Sequence, residues 1–152
     1  MADEKKPPSS APPKRAPSRD DLKKLPTARD YMDTAVPTLL PQMEISEAVD
    51  FLLQHRRTGA PVVDDDGELV GILTEFDCLR LMTTGADHDE ATGVVADFMS
   101  TDVVTIEPGM DMFYVAGLFL RHHFRRLPVL YEGKLVGAIT RFDVLRAISL
   151  HS

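Results

Sequence analysis

From residue 28 onward the chain repeats itself, and that repetition limits the possible folds more than any single motif does. Ala28-Arg-Asp-Tyr-Met32 matches Val95-Ala-Asp-Phe-Met99 at an offset of 67 residues. The same offset carries Thr38 to Thr105, Pro41 to Pro108, Met43 to Met110, His55 to His122 and Pro61 to Pro128. Beyond that point the offset becomes 66, because DDDGEL in the first copy is one residue longer than YEGKL in the second. Leu69-Val-Gly71 then matches Leu135-Val-Gly137, and Thr74, Phe76 and Asp77 match Thr140, Phe142 and Asp143. The insertion falls in a turn, where extra residues are tolerated.

Each copy reads as β-α-β-β-α. Extended segments (Val36–Leu40, Val103–Ile106) run up to a proline. A helix follows with apolar residues at Ile45, Ala48, Val49, Leu52 and Leu53, the spacing of one helical face. The second copy repeats it with Met112, Val115, Ala116, Phe119 and Leu120. Two strands come next, 60–63 with 69–73 and 127–130 with 135–139, joined by turns at Gly67 and Gly133. A last helix starts at Glu75 or Arg141. A unit of about 60 residues is marginal for a core of its own. The near-continuous apolar strand Leu69–Leu73 also needs cover on both faces. The expectation is an α+β fold: two repeats, 28–92 and 93–152, packed sheet to sheet about a pseudo-twofold axis. The cleft between them is the natural ligand site.

Residues 1–27 are rich in Pro, Ser, Ala and Lys and carry too few apolar residues to offset the entropy of ordering, which predicts a disordered arm. Its removal is expected to leave folding and binding nearly unchanged. Net charge is uneven: +3 over 1–27, −10 over 28–94 and 0 over 95–152. The acidic middle argues against a nucleic-acid surface and steers anionic ligands toward the second half. No apolar run approaches a membrane span, and Met1 to Pro17 has no apolar centre for a signal peptide. A single cysteine, Cys78, excludes an internal disulfide framework. A cytoplasmic protein is expected.

Gly71-Ile-Leu-Thr-Glu-Phe-Asp77 and Gly137-Ala-Ile-Thr-Arg-Phe-Asp143 are strand-to-helix junctions. Thr74 and Thr140 stand where an N-cap belongs, with Asp77 and Asp143 three residues on, the spacing of a capping box. The same geometry serves a ligand, since a helix N-terminus attracts phosphate and a fixed carboxylate accepts from ribose hydroxyls. Both readings stand at this stage. Gly71 and Gly137 allow another backbone, or a ligand, to approach the strand.

The order of short strand, helix, G-A-P-V-V-D, hairpin and G-I-L-T-E-F-D, followed by R-L-P-V-L and G-A-I-T-R-F-D, resembles a tandem pair of CBS domains (a Bateman module) over residues 28–150. The resemblance implies two inter-repeat clefts that take adenosine-type ligands: AMP, ADP, ATP or S-adenosylmethionine. By position, Asp77 and Asp143 would hold ribose hydroxyls, and Thr74 and Thr140 would lie near phosphate. The segments at Thr38 and Thr105, with Ala60-Pro61 and Leu127-Pro128, would line adenine pockets. Arg125, Arg126 and Arg141 would meet phosphate. HFRRLPV is similar to a His-Arg-Leu-Pro-Val stretch in the regulatory subunit of AMP-activated kinase. The first repeat has Thr58, Gly59 and Glu75 where the second has Arg125, Arg126 and Arg141. Guanidinium groups favour phosphate, so the Asp143 cleft is expected to take the more anionic ligand.

No catalytic residue set, P-loop or dinucleotide fingerprint is present. His55, His122 and His123 lack partners at metal-ligand spacing. Asp64-Asp65-Asp66 before Gly67 suits a turn better than calcium. Cys78 suits packing better than nucleophilic attack. The expectation is a regulatory sensor, not an enzyme, with no cofactor beyond its regulatory ligand and no metal. With the last helix ending at the C-terminus, its output would pass to an unidentified protein partner or through the N-terminal tail. Apolar residues off the core stripe of the 110–124 helix (Phe113, Tyr114, Leu118) predict a homodimer. The alternative is an interaction scaffold whose clefts bind nothing and whose Thr/Asp pairs are only caps.

Overall fold

The computed structural model describes residues 25–84 and 92–151. Most of the expected arm, 1–24, lies outside the described residues, as do 85–91. The elements are α1 (Ala28–Tyr31), α2 (Ile45–Gln54), β1 (Gly59–Val63), β2 (Leu69–Thr74), α3 (Glu75–Thr84), α4 (Val95–Phe98), α5 (Met112–Arg121), β3 (Arg126–Tyr131), β4 (Lys134–Thr140) and α6 (Arg141–Leu150). This is the α+β order read from the repeats.

Each hairpin is antiparallel, β1 with β2 and β3 with β4. The segment ahead of each repeat's first long helix adds one parallel bridge, Leu39 to Val62 and Ile106 to Val129. The first expected strand is therefore a single residue pair, because a proline follows within two residues and removes a donor. At the β3–β4 turn, Glu132 and Gly133 both have positive φ, 52° and 83°. That is the twist a two-residue hairpin loop requires. In the longer β1–β2 turn Asp64 Oδ1 accepts from the N–H groups of Asp66 and Glu68, at 2.9 and 3.0 Å. The aspartate run is thus turn chemistry. The two turns also touch, through Glu68 paired with Lys134 and Leu135 N–H donating to Gly67 O.

The short leading helices cross over. Ala28 and Arg29 donate to the carbonyls of Met110 and Pro108 in the second repeat. In mirror fashion, Val95 and Ala96 donate to Met43 and Pro41 in the first. Ala28 is fully buried among Ile106, Met112, Val115, Leu127 and Val129, the second repeat's core. Val95 is fully buried among Leu39, Ile45, Leu52, Val62 and Leu73, the first repeat's core. Chain following each short helix then pairs with the far hairpin, Asp33 with Ala138 and Ser100 with Ile72. Gly71 and Gly137 are the contact points: a Cβ on Gly71 would lie 2.7 Å from Met99 Sδ and 2.8 Å from Ser100 O. On Gly137 it would meet Met32 Sδ at 2.7 Å and Asp33 O at 2.9 Å. The close approach these glycines allow is that of another backbone.

Three expectations change. Pro26 is fully buried, its carbonyl accepts from Met112 N–H, and Thr27 bridges to Asp111. The folded region therefore includes 25–27, which the low apolar content of the whole segment had assigned to the arm. Leu53 and Leu120, read as core, are 71% and 87% exposed. Eight residues along a helix turns a side chain about 80° from the first position, to the edge of the stripe. Leu118, read as lying off the stripe, is 9% exposed and packs in the second core.

Candidate functional site

Both Thr/Asp junctions form capping boxes. Thr140 N–H and Oγ1 donate to Asp143 Oδ2 at 2.9 and 3.0 Å, and Asp143 N–H donates back to Thr140 Oγ1 at 3.2 Å. Thr74 and Asp77 repeat the arrangement at 2.9, 3.0 and 3.3 Å. The caps consume Oδ2 of each aspartate and leave Oδ1 turned toward a partner one turn on. Asp143 Oδ1 lies 3.6 Å from Arg146, and Asp77 Oδ1 lies 4.0 Å from Arg80. Each carboxylate is thus held rigidly while one oxygen keeps accepting capacity.

A cleft of about 270 Å³ opens between the repeats. Thr58, Gly59, Ala60, Pro61, Ile72, Thr74, Glu75 and Phe76 line it from the first repeat. His123, Phe124, Arg125, Arg126, Pro128 and Ala138 line it from the second. Strand alternation explains part of the set. Register pairs Gly59 with Thr74 and Pro61 with Ile72, and Arg126 with Thr140 and Pro128 with Ala138, so each group shares one hairpin face. The two hairpins present these faces to each other.

Of the residues singled out in the sequence, Ala60, Pro61, Thr74, Arg125, Arg126 and Pro128 meet in this cleft. Thr38 and Thr105 are not in the lining; each precedes the residue that bridges to its hairpin. Leu127 is fully buried in the second core. Asp77, two residues beyond Glu75 in α3, is not in the lining. Thr140, Arg141 and Asp143 lie at the equivalent junction of the second repeat, outside this lining. Thr58, Gly59, Ile72, Glu75, Phe76, His123, Phe124 and Ala138 complete the lining and were not among the ligand contacts expected from the sequence. Hairpin pairing would have found Gly59 and Ile72, which share a face with Pro61, and Ala138, which pairs with Pro128. The others depend on how the two repeats meet.

The charges are mixed. Glu75 Oε2 is shielded from solvent with no hydrogen-bond partner, while its backbone N–H is held by Thr58 O at 2.8 Å. Arg125 is exposed, whereas Arg126 is half-buried. Burial, and then Arg57, pull the Arg126 guanidinium below its ordinary range, against Asp33 and Asp143, which favour its charge. Arg57 itself pairs with Asp33 at 3.9 Å. Cys78 is buried, and its thiol is pushed above the usual range by burial first, then by Asp77 and Glu75. No helix among the described residues is long and apolar enough to cross a membrane.

Comparison with known proteins gives a consistent family. The profile of the CBS domain matches twice, at residues 28–84 and 95–150. MJ1225 of Methanocaldococcus jannaschii is 37% identical over 120 residues, 79% of this chain but 42% of that protein. YhcV of Bacillus subtilis, a CBS domain-containing protein, is 36% identical over 118 residues, 78% of this chain and 82% of its relative. Among solved structures, CBSX2 in complex with AMP superimposes with a TM-score of 0.72 at 30% identity. That match covers 83% of this chain and 98% of CBSX2.

Proposed function

This chain belongs to the CBS domain family, and on that footing we propose that it is a regulatory, non-catalytic module that binds an adenosine-type ligand between its repeats. The observation that carries the reading is the inter-repeat cleft, with an apolar wall at Ala60 and Pro61 and cationic groups at Arg125 and Arg126. A purine fits against the first and an anionic 5′ substituent against the second. The ribose falls to Asp77, whose Oδ1 is outside the capping hydrogen bonds. The AMP complex of the related CBSX2 supports the ligand class. AMP, ADP, ATP and S-adenosylmethionine all belong to it. In this reading the protein works in the cytoplasm as a homodimer and passes its signal to a separate protein.

The scaffold alternative rests on one specific observation, that both Thr/Asp pairs are already used as caps. Thermal shift against the four ligands separates the two. A ligand that binds only the folded state at a hundred times its Kd stabilises it by about 2.7 kcal/mol, a clear rise in Tm. No shift with any of them would leave the scaffold reading in place.

A further inference from the structure

Glu75 lines the cleft, and its Oε2 is shielded from solvent with no hydrogen-bond partner among the described residues. Arg125 and Arg126 line the same cleft from the second repeat, yet none of the ion pairs among the described residues joins either of them to Glu75. Water screens such a carboxylate poorly, so its field falls on whatever enters the cleft. A shielded charge of this kind is costly until a cation or donor comes near it. The start of α3 points the same way. A free helix N-terminus attracts phosphate, but this one is used by the chain itself. Glu75 N–H donates to Thr58 O at 2.8 Å, and Asp77 N–H donates to Thr74 Oγ1 at 3.3 Å. Glu75 and Asp77 also place two acids in the first turn, which offset the positive end of the helix. The second repeat has Arg141 at the position of Glu75, so this acid belongs to one side only.

Resting on the ligand reading above, we propose that Glu75 selects the ligand by charge: the cleft takes an adenosine whose 5′ substituent is a sulfonium amino acid in preference to a nucleoside phosphate. In such a ligand the carboxylate meets Arg125 and Arg126, since guanidinium groups bind carboxylate as readily as phosphate. The sulfonium is bonded directly to C5′, next to the ribose assigned to Asp77, and Glu75 stands two residues before Asp77 in α3. The cation therefore falls on the side of the unpaired carboxylate and offsets it. A phosphate on C5′ would instead bring negative charge toward Glu75, where like charges repel. It would find the Glu75 and Asp77 amides already bonded. With His123 counted neutral, Glu75 and Asp77 match Arg125 and Arg126, and no net positive charge is left to hold a dianion.

Calorimetry on the full chain with adenosine, AMP and S-adenosylmethionine reads the selection. The wild type is expected to bind S-adenosylmethionine about tenfold or more tightly than AMP. Glu75→Gln keeps the shape and removes the charge, and should move that ratio toward AMP by roughly 10- to 100-fold. Glu75→Arg, which installs the second repeat's residue, should move it further. Adenosine has no charged 5′ substituent and should bind the wild type and Glu75→Gln alike, which separates a charge effect from a structural one. S-adenosylhomocysteine lacks the sulfonium methyl and its charge, so it should bind the wild type more weakly than S-adenosylmethionine. Equal affinities for those two would refute the pairing without recourse to any variant. A wild type that prefers AMP, or a folded Glu75→Gln with the wild-type ratio, would overturn the selector and leave the adenosine reading in place. Binding of none of these ligands, adenosine included, would remove that reading and the selector with it.

Discussion

Asp77 carries two duties that a single substitution separates. Its Oδ2 caps α3, and its Oδ1 is the group assigned to ribose. In Asp77→Ala, loss of the cap should cost the fold about 1 kcal/mol. Loss of hydrogen bonds to a charged acceptor, roughly 1.5–3 kcal/mol, should weaken the ligand on the order of 10- to 100-fold. Calorimetry and a melt on one preparation measure both. Unchanged affinity with a lowered Tm would make the aspartate a cap alone. Cys78 yields a second residue-scale expectation. Its raised pKa and burial leave little thiolate, so a thiol reagent at neutral pH should modify the native protein far more slowly than the unfolded chain. The sign of the linkage follows. The stability tied to this group is full below the ordinary thiol range and erodes as pH rises through the raised value.

Among the elements, the exchanged helices α1 and α4 do the work that two independent units could not. Each is only four residues long and has no stability of its own. Each is held by backbone hydrogen bonds to the other repeat and by one fully buried side chain, Ala28 or Val95. Asp30 caps the first by accepting from Thr27 N–H and Oγ1 at 3.0 and 3.1 Å, and Arg146 of α6 stacks on Tyr31. Two predictions belong here. Deleting 1–27 removes buried Pro26 and the cap, and should cost about 2–4 kcal/mol relative to deleting 1–24. Equal urea midpoints would show that Pro26 contributes nothing. Gly71→Ala forces a Cβ against Met99 Sδ and the Ser100 carbonyl, and a backbone oxygen yields less readily than a side chain. A loss of about 1–3 kcal/mol is expected, and an unchanged denaturation midpoint would contradict the close packing.

At the scale of the whole molecule, apolar surface remains uncovered on the long helices. On α5, Phe113 is 45% exposed, Tyr114 49% and Leu120 87%; on α2, Leu53 is 71% exposed. Phe142 and Leu145 of α6 are similarly open, at 70% and 66%. Scattered apolar residues are ordinary, but several on related helix faces favour association. With Leu118 assigned to the core, the dimer argument rests on Phe113, Tyr114 and Leu120 together with Leu53. Light scattering at micromolar concentrations should give twice the chain mass. Phe113→Lys with Leu120→Lys should shift the mass toward one chain while the fold is retained. A wild type of single-chain mass would end this proposal.

Repetition, hairpin turns and strand-to-helix junctions were all legible in the sequence, because each depends on residues close together along the chain. Hydrophobic period, a glycine at positive φ and a Thr-x-x-Asp spacing are local requirements that leave local marks. The crossing of α1 and α4 left no such mark. Its hydrogen bonds join residues about eighty positions apart in one case and about fifty in the other, and either repeat could have kept its own short helix without altering the pattern. The same limit applies to the cleft. Ala60, Pro61 and Thr74 stand out by motif, whereas His123 and Phe124 enter the lining only through the packing of one repeat on the other. The contrast between Gly59 and Arg126 was written in the sequence as a difference in residue type. Only the tertiary structure, by packing one hairpin on the other, brought both positions into the lining of a single cleft.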